Sequence, residues 1–211
     1  MKTAGILVLC VFSSILSTVT SLKCRSCVAF GTECGEETEV ECKENEEFCS
    51  TAVLNSTITN ASMSLIIKEC SKPENCFDGL FSTTTIEGRF EVIRVTCCKT
   101  DACNVGSLLL EDHETLKPNG LQCLGCVALD KDHCEADQLV NCVGEEDQCL
   151  TLTSTTQAFG NFTEKSTYQA CAIKKSCSYP LGHTEVANGL INFNVTILEC
   201  KDASPPEPEH Q

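Results

Sequence analysis

The sequence predicts an all-β, disulfide-rich protein of two tandem domains, and three observations carry that reading. Cysteine is dense, 19 in 211 residues, while tryptophan is absent and only 9 Phe and 2 Tyr are available for a core. At such density cross-links stand in for core volume, as in small extracellular domains. The cysteines form two series that copy one another, and the segments between them carry the apolar/polar alternation of strands. Charge narrows the partners: 30 Asp+Glu against 15 Lys+Arg leaves −15. That balance argues against nucleic acid and against anionic membrane surfaces, which are held through Lys and Arg.

The first element is a signal peptide over residues 1–21. Lys2 is its positive start, Gly5–Leu16 its apolar stretch, and Val19 and Ser21 fit the small residues before a cleavage site, with Leu22 as the mature start. A dozen apolar residues are too few to span a bilayer. Cleavage removes Cys10, so the odd cysteine count becomes an even 18, and the loss of Lys2 leaves 14 basic against 30 acidic residues, −16. No later segment is apolar for 18 residues, and the acidic, Pro-rich end at 201–211 (Lys-Asp-Ala-Ser-Pro-Pro-Glu-Pro-Glu-His-Gln) lacks the hydrophobic tail of a lipid-anchor signal. The expected product is secreted, without a membrane anchor, and ends in a disordered tail.

Cysteines 24, 27, 34, 42, 49, 70, 76 and 97 are spaced 3, 7, 8, 7, 21, 6 and 21 apart; cysteines 123, 126, 134, 142, 149, 171, 177 and 200 are spaced 3, 8, 8, 7, 22, 6 and 23. The openings match too, Leu22-Lys-Cys-Arg-Ser-Cys-Val-Ala-Phe30 against Leu121-Gln-Cys-Leu-Gly-Cys-Val-Ala-Leu129. A repeat of this length is a duplicated domain. The first, 22–104, adds Cys98 and Cys103 for ten cysteines; the second, 121–200, has eight; 105–120 is a polar linker ending in the turn residues Pro118-Asn119-Gly120. Strands are expected at Ser62–Lys68, at Phe90–Thr96 and at 191–197, where Ile191, Phe193, Val195 and Ile197 alternate with polar residues. Sequons stand at Asn55, Asn60, Asn161 and Asn194, positions a glycan would keep in solvent.

The C-x-x-C opening and the closing Cys97-Cys98-Lys-Thr-Asp-Ala-Cys103-Asn104 resemble the lymphocyte-antigen-6/urokinase-receptor family, the three-finger or snake-toxin-like fold. Ten cysteines alone allow roughly nine hundred pairings and eight allow about 105, so the connectivity is what the resemblance implies. It pairs Cys24–Cys49, Cys27–Cys34, Cys42–Cys70, Cys76–Cys97 and Cys98–Cys103 in the first domain. The second domain has Cys123–Cys149, Cys126–Cys134, Cys142–Cys171 and Cys177–Cys200 and lacks the last family bridge, which leaves its final strand less firmly closed. Two such domains, the Pro-Asn-Gly entry to the second and the ending Leu198-Glu-Cys-Lys-Asp-Ala-Ser204 are most similar to the gamma-type phospholipase A2 inhibitors. The resemblance implies a secreted glycoprotein that binds and inhibits secreted phospholipase A2 by occlusion, without chemistry of its own. The linker departs from the pattern: the family's is proline-rich and apolar, whereas here Glu111, Asp112, His113 and Glu114 precede Pro118. That departure keeps a second class open, a secreted signalling or pheromone-like ligand without inhibitory activity. The expected partner is a secreted phospholipase A2 or another extracellular protein, and self-association stays open.

No cofactor and no metal site is expected. The pairs Cys24/Cys27 and Cys123/Cys126 lie in separate copies, and neither copy supplies the second pair that tetrahedral zinc wants. No catalytic residue is expected either. The Cys97-Cys98 cluster resembles the helix of secreted phospholipases A2 themselves, but Thr100 cannot serve as the general base that chemistry needs. His113, His133, His183 and His210 sit in polar or loop contexts and read as surface residues. The run Glu33–Glu47, with eight acids and one Lys, reads as a solvated face or a steering surface for a cationic partner. Partner contact is expected at finger residues without a sequon nearby, through Phe77, Leu80 and Phe81 in the first domain and Tyr179, Pro180 and Leu181 in the second.

Overall fold

A computed structural model describes residues 21–59 and 62–206. Residues 1–20 of the expected signal peptide, the sequon residue Asn60 and His210 lie outside the described residues. The first domain contains β1 (Lys23–Phe30), β2 (Thr38–Glu41), β3 (Phe48–Ser56), β4 (Met63–Ser71), β5 (Gly79–Thr84) and β6 (Phe90–Cys98). The second contains β7 (Pro118–Leu129), β8 (Gln138–Val143), β9 (Gln148–Ala158), β10 (Phe162–Ala172), β11 (Gly182–Val186) and β12 (Ile191–Asp202). Each domain is three antiparallel hairpins, β1/β2, β3/β4 and β5/β6, then β7/β8, β9/β10 and β11/β12. The fold is all-β: the described residues outside the strands form only short 3₁₀ turns and loops.

Alternation is obeyed where pairing is regular and broken where it is not. Ile191 and Val195 face inward and Asn194 outward, as the period of two requires. Ile197 is turned out instead, because β12 slips register against β9 between Val195 and Ile197. A bulge inserts one residue and flips every later side chain to the other face.

The fingers spring from a base of disulfides. The bridges are Cys24–Cys49, Cys27–Cys34, Cys42–Cys70, Cys76–Cys97 and Cys98–Cys103, then Cys123–Cys149, Cys126–Cys134, Cys142–Cys171 and Cys177–Cys200. The sulfurs of Cys24, Cys42 and Cys70, and of Cys123, Cys142 and Cys171, lie within 4.8 Å of one another, but each belongs to a disulfide and is not a thiolate ligand. Asn104, directly after the last cysteine of the first domain, ties two fingers together. Its carboxamide accepts from the Arg25 N–H at 2.8 Å and donates to the carbonyls of Arg25 and Ser50 at 2.8 and 3.0 Å. Buried Lys68 on β4 adds a second tie, donating to Glu37 of the first-finger loop and to the Gly106 carbonyl at 2.6 Å.

The second domain closes differently. Lys201 and Asp202 continue β12, Ala203 N–H donates to the Asp147 carbonyl, and Ser204 pairs with Gln122 through backbone bonds of 2.8 and 3.3 Å. Residues 201–204, read from composition as free tail, are thus part of the sheet. Backbone hydrogen bonds stand where the first domain has a disulfide.

The domains are not beads on a string. Strand β7 pairs with β10 only from Cys126 to Leu129, which leaves the β10 edge open at Cys171 and Ala172. Thr84 and Thr83 of β5 occupy that edge and join both domains in one twelve-stranded sheet. Side chains cross the boundary as well. Ile58, from the middle finger of the first domain, packs among Leu150, Tyr168, Ala170 and Ala172. Ala187 and Ile191, from the third finger of the second domain, pack on Leu65 and Ile67. Burying one such Ile side chain contributes about 1.5–3 kcal/mol, which is large for a junction between two small domains. The expected linker belongs to this junction too: His113–Thr115 forms a 3₁₀ turn, and His113, read as a surface residue, is buried and stacks on Phe90 with centroids 4.3 Å apart.

Candidate functional site at the fingertips

Of the six expected contact residues, the three aromatics Phe77, Phe81 and Tyr179 are brought against one another. Tyr179 lies 5.6 Å from the Phe77 ring and 6.1 Å from the Phe81 ring, centroid to centroid, and Phe81 is buried. Leu80 and Pro180 are half-buried, and Leu181 is 63% exposed. The aromatic members fasten the third finger of one domain to the loop before β11 of the other.

Polar groups complete that junction. Glu146, 1% exposed, accepts from the Ser82 hydroxyl at 3.1 Å, the Thr84 hydroxyl at 2.8 Å and the Val143 N–H at 3.1 Å. His113 Nε2 lies 2.9 Å from Thr84 Oγ1 and 3.7 Å from Glu146 Oε1. These three resemble a catalytic trio only superficially. The same ring nitrogen faces both partners, whereas a relay needs one partner on each nitrogen, and all three side chains are buried away from solvent.

Two further carboxylates cross the boundary. Glu69 of β4 accepts the N–H groups of Asn188 and Ala187, and burial, the largest influence, pushes its carboxyl above the ordinary range. The enclosed carboxyl of half-buried Glu91 on β6 is likewise pushed up by burial, against the stabilising hydroxyls of Ser56 and Tyr168. Burial and the Glu91 charge hold the Tyr168 phenol well above its usual range, so Tyr168 is the donor in that pair. The sign follows. A carboxyl with a raised folded-state pKa stabilises the fold most fully below its unfolded value and loses that contribution as pH rises through the folded value. The thermal midpoint is therefore expected to rise on going from pH 7.5 to about 5.5. Glu91→Gln, which keeps an acceptor for Tyr168 without a charge, should raise the midpoint at pH 7.5 and shrink that rise. Calorimetry at both pH values checks it; a midpoint that falls in mild acid, equally in wild type and variant, contradicts it.

A different surface is left open to a partner. Phe30 at the end of β1 is 72% exposed, Phe162 at the start of β10 is 52% exposed, and Met63 and Leu129 stand beside them. Together with Glu164 they line a cleft of about 670 Å³ between fingertips of the two domains. Phe159 extends it, its ring 5.7 Å from that of Phe30. Exposed aromatics in such a cluster mark interaction surfaces, in contrast to scattered single residues. The backbone supports that reading: Phe159 sits at φ 50°, in the left-handed region that costs a non-glycine residue about 1–2 kcal/mol. The turn is held by the Phe159 N–H donating to the Leu190 carbonyl at 2.9 Å.

The loops leaving the cleft, 31–37 and 130–137, carry Glu33, Glu36, Glu37, Asp130, Asp132, Glu135 and Asp137 against Lys131. Burial first, and then the Asp130 charge, push the Glu164 carboxyl above its ordinary range. Sequence reasoning missed this cleft, although a signal existed: Phe30 and Leu129 are the same position of the two copies, the apolar end of the matched opening.

Two disulfide-braced three-finger domains, bridged by one sheet, define a tandem three-finger protein whose fingertips offer a contact surface. The model of the u-PAR/Ly-6 domain matches residues 20–106 and again 119–207, and the chain belongs to the u-PAR/Ly-6 family. It is similar to the phospholipase A2 inhibitor NAI of Notechis ater, 31% identical over 174 residues that cover 82% of this chain and 85% of that protein. It is also similar to a gamma-type phospholipase A2 inhibitor of Laticauda semifasciata, 31% identical over 74% of this chain and 84% of the relative. The urokinase plasminogen activator surface receptor of Mus musculus is 28% identical over 89% of this chain, which spans 55% of that longer protein.

Proposed function

We propose that the chain is a secreted glycoprotein that binds and inhibits secreted phospholipase A2 by covering it, with no chemistry of its own. The observation that carries this reading is the similarity, over most of the chain, to proteins named phospholipase A2 inhibitors. The described residues support it physically. The hydroxyl–imidazole–carboxylate grouping of Thr84, His113 and Glu146 is buried and structural, and the exposed chemistry is apolar surface with acidic loops. Among the described residues no helix is long and apolar enough to cross a membrane. Asn161 and Asn194 are exposed, Asn161 in the turn between Phe159 and Phe162, whereas Asn55 is half-buried and accepts from the Ser64 hydroxyl at 3.3 Å. A glycan is therefore assigned to Asn194 ahead of Asn55, while Asn161, flanked by the open rings of Phe159 and Phe162, is expected to stay bare.

The experiment is a titration of the secreted protein against a panel of secreted phospholipases A2, with intact mass recorded before and after N-glycosidase. Inhibition at one inhibitor per enzyme, with turnover of substrate by the protein itself absent, is the expected result. Failure to bind or slow any enzyme at micromolar concentration removes the inhibitor reading and favours the signalling one, for which the altered linker is the motive.

A further inference from the structure

We propose that the fingertip cleft is a docking surface for a cationic, amphipathic protein face, which on the inhibitor reading is a face of a basic secreted phospholipase A2. The proposal names the surface through which that function acts, and it rests on that reading for the identity of the partner. Its floor is Phe30, Phe162, Met63 and Leu129, with Phe159 at the edge. These residues come from both domains, so the surface exists only in the joined molecule.

Two observations select the occupant. The floor is apolar and aromatic, the composition of an interface centre where a partner's apolar residues are desolvated. Glu164 lines it, and the loops that leave it at Phe30 and Leu129, 31–37 and 130–137, hold seven acids and one lysine, with Lys165 answering Asp132 and buried Lys68 answering Glu37. An apolar floor inside an acidic rim matches an apolar patch ringed by Lys and Arg, and the rim speeds encounter with such a partner. It repels an anionic membrane surface or nucleic acid. A second copy of this chain is disfavoured by the same charge, −15 overall.

The linker is the competing surface, since Leu109 is 83% exposed beside Glu111 and Asp112. Binding to an immobilised basic phospholipase A2 and to an acidic isoform is measured by surface plasmon resonance for wild type, for Phe30→Ser/Phe162→Ser and for Leu109→Ser. Because all three side chains are already exposed, the variants should keep the wild-type thermal midpoint. The expected result is that the double variant weakens binding to the basic enzyme at least about 30-fold, mainly through faster dissociation. Leu109→Ser should change it by less than about 3-fold, as expected of a residue outside the interface centre. Raising salt from about 50 to about 500 mM should slow association with the basic isoform several-fold.

If wild type binds and the double variant binds equally, or if Leu109→Ser alone abolishes binding, the cleft assignment is overturned while the inhibitor reading stands. Should wild type bind no enzyme, that reading falls, and the surface is judged with an amphipathic Lys/Leu helical peptide of about 18 residues, five helical turns. Micromolar binding by wild type that the double variant loses keeps the cleft as a site for cationic amphipathic partners. Absent or equal binding removes it.

Discussion

Glu146→Ala is expected to lower the stability of the folded chain by about 3 kcal/mol, because it takes a carboxylate acceptor from two buried hydroxyls and a half-buried N–H at once. Those donors are the hydroxyls of Ser82 and Thr84 and the N–H of Val143, the first two from the other domain. For a chain of this size such a loss should lower the thermal midpoint by roughly 6–12 °C. The first domain supplies the control. Glu46 accepts from the Lys43 N–H at 2.8 Å, as Glu146 accepts from Val143, but its other neighbour is the exposed Lys43 Nζ at 3.7 Å, and neither contact reaches the second domain. Glu46→Ala should therefore cost about 1 kcal/mol or less. Glu146→Gln, which keeps an acceptor oxygen, should fall between the two alanine variants. Equal midpoints for Glu46→Ala and Glu146→Ala would falsify the claim that this carboxylate fastens the domains.

The contrast between Glu46 and Glu146 shows what was legible in the sequence. The duplication and the cysteine spacing could be read directly, because they are properties of the chain itself, and the family resemblance turned that spacing into a bridge frame. The junction could not be read, because its members look alike in sequence and differ only in what the other domain places over them. Ser82, Thr83, Thr84 and Thr85 read as a polar stretch, yet all four are buried, with Thr85 donating to the Gln169 carbonyl at 2.7 Å. Hydroxyls are compatible with burial where backbone and carboxylate acceptors of the second domain meet them, and the Thr83 hydroxyl faces the Tyr168 phenol of that domain. Ile58 reads as a residue beside sequons and in fact anchors the second domain's core. His113 reads as part of a charged linker, and its stacking on Phe90 depends on a fold that composition does not reveal. For the same reason Phe77, Phe81 and Tyr179, scarce aromatics with no sequon nearby, turn toward each other. The cleft that is open contains Phe30 and Phe162, one at a strand end and one inside a sequon.

One departure between the two copies does encode the junction, and it gives the second large prediction. Within the matched openings, Ser26 of the first domain stands where the second has Gly125. A Cβ on Gly125 would lie 2.4 Å from Val140 Cγ2, 3.1 Å from Ile86 Cγ2 and 3.3 Å from the Gln169 carbonyl oxygen. The first distance is far inside van der Waals contact, and Ile86 belongs to the third finger of the other domain. Gly125→Ser, which installs the first copy's own residue, is expected to cost about 3 kcal/mol by overpacking. The reciprocal Ser26→Gly, on half-buried β1, should cost only about 0.5–1 kcal/mol in strand entropy. Chemical denaturation of both variants reads the asymmetry, and equal costs would show that this approach of the domains does not constrain the chain. Ile86→Ala then divides the strain. If the contact between domains and the contact with Val140 are felt together, Gly125→Ser should be less costly by about 0.5–1 kcal/mol in the Ile86→Ala background, the size of coupling typical for touching residues. No coupling would place the whole strain at Val140, inside the second domain, and would leave the glycine explained by that domain's own packing.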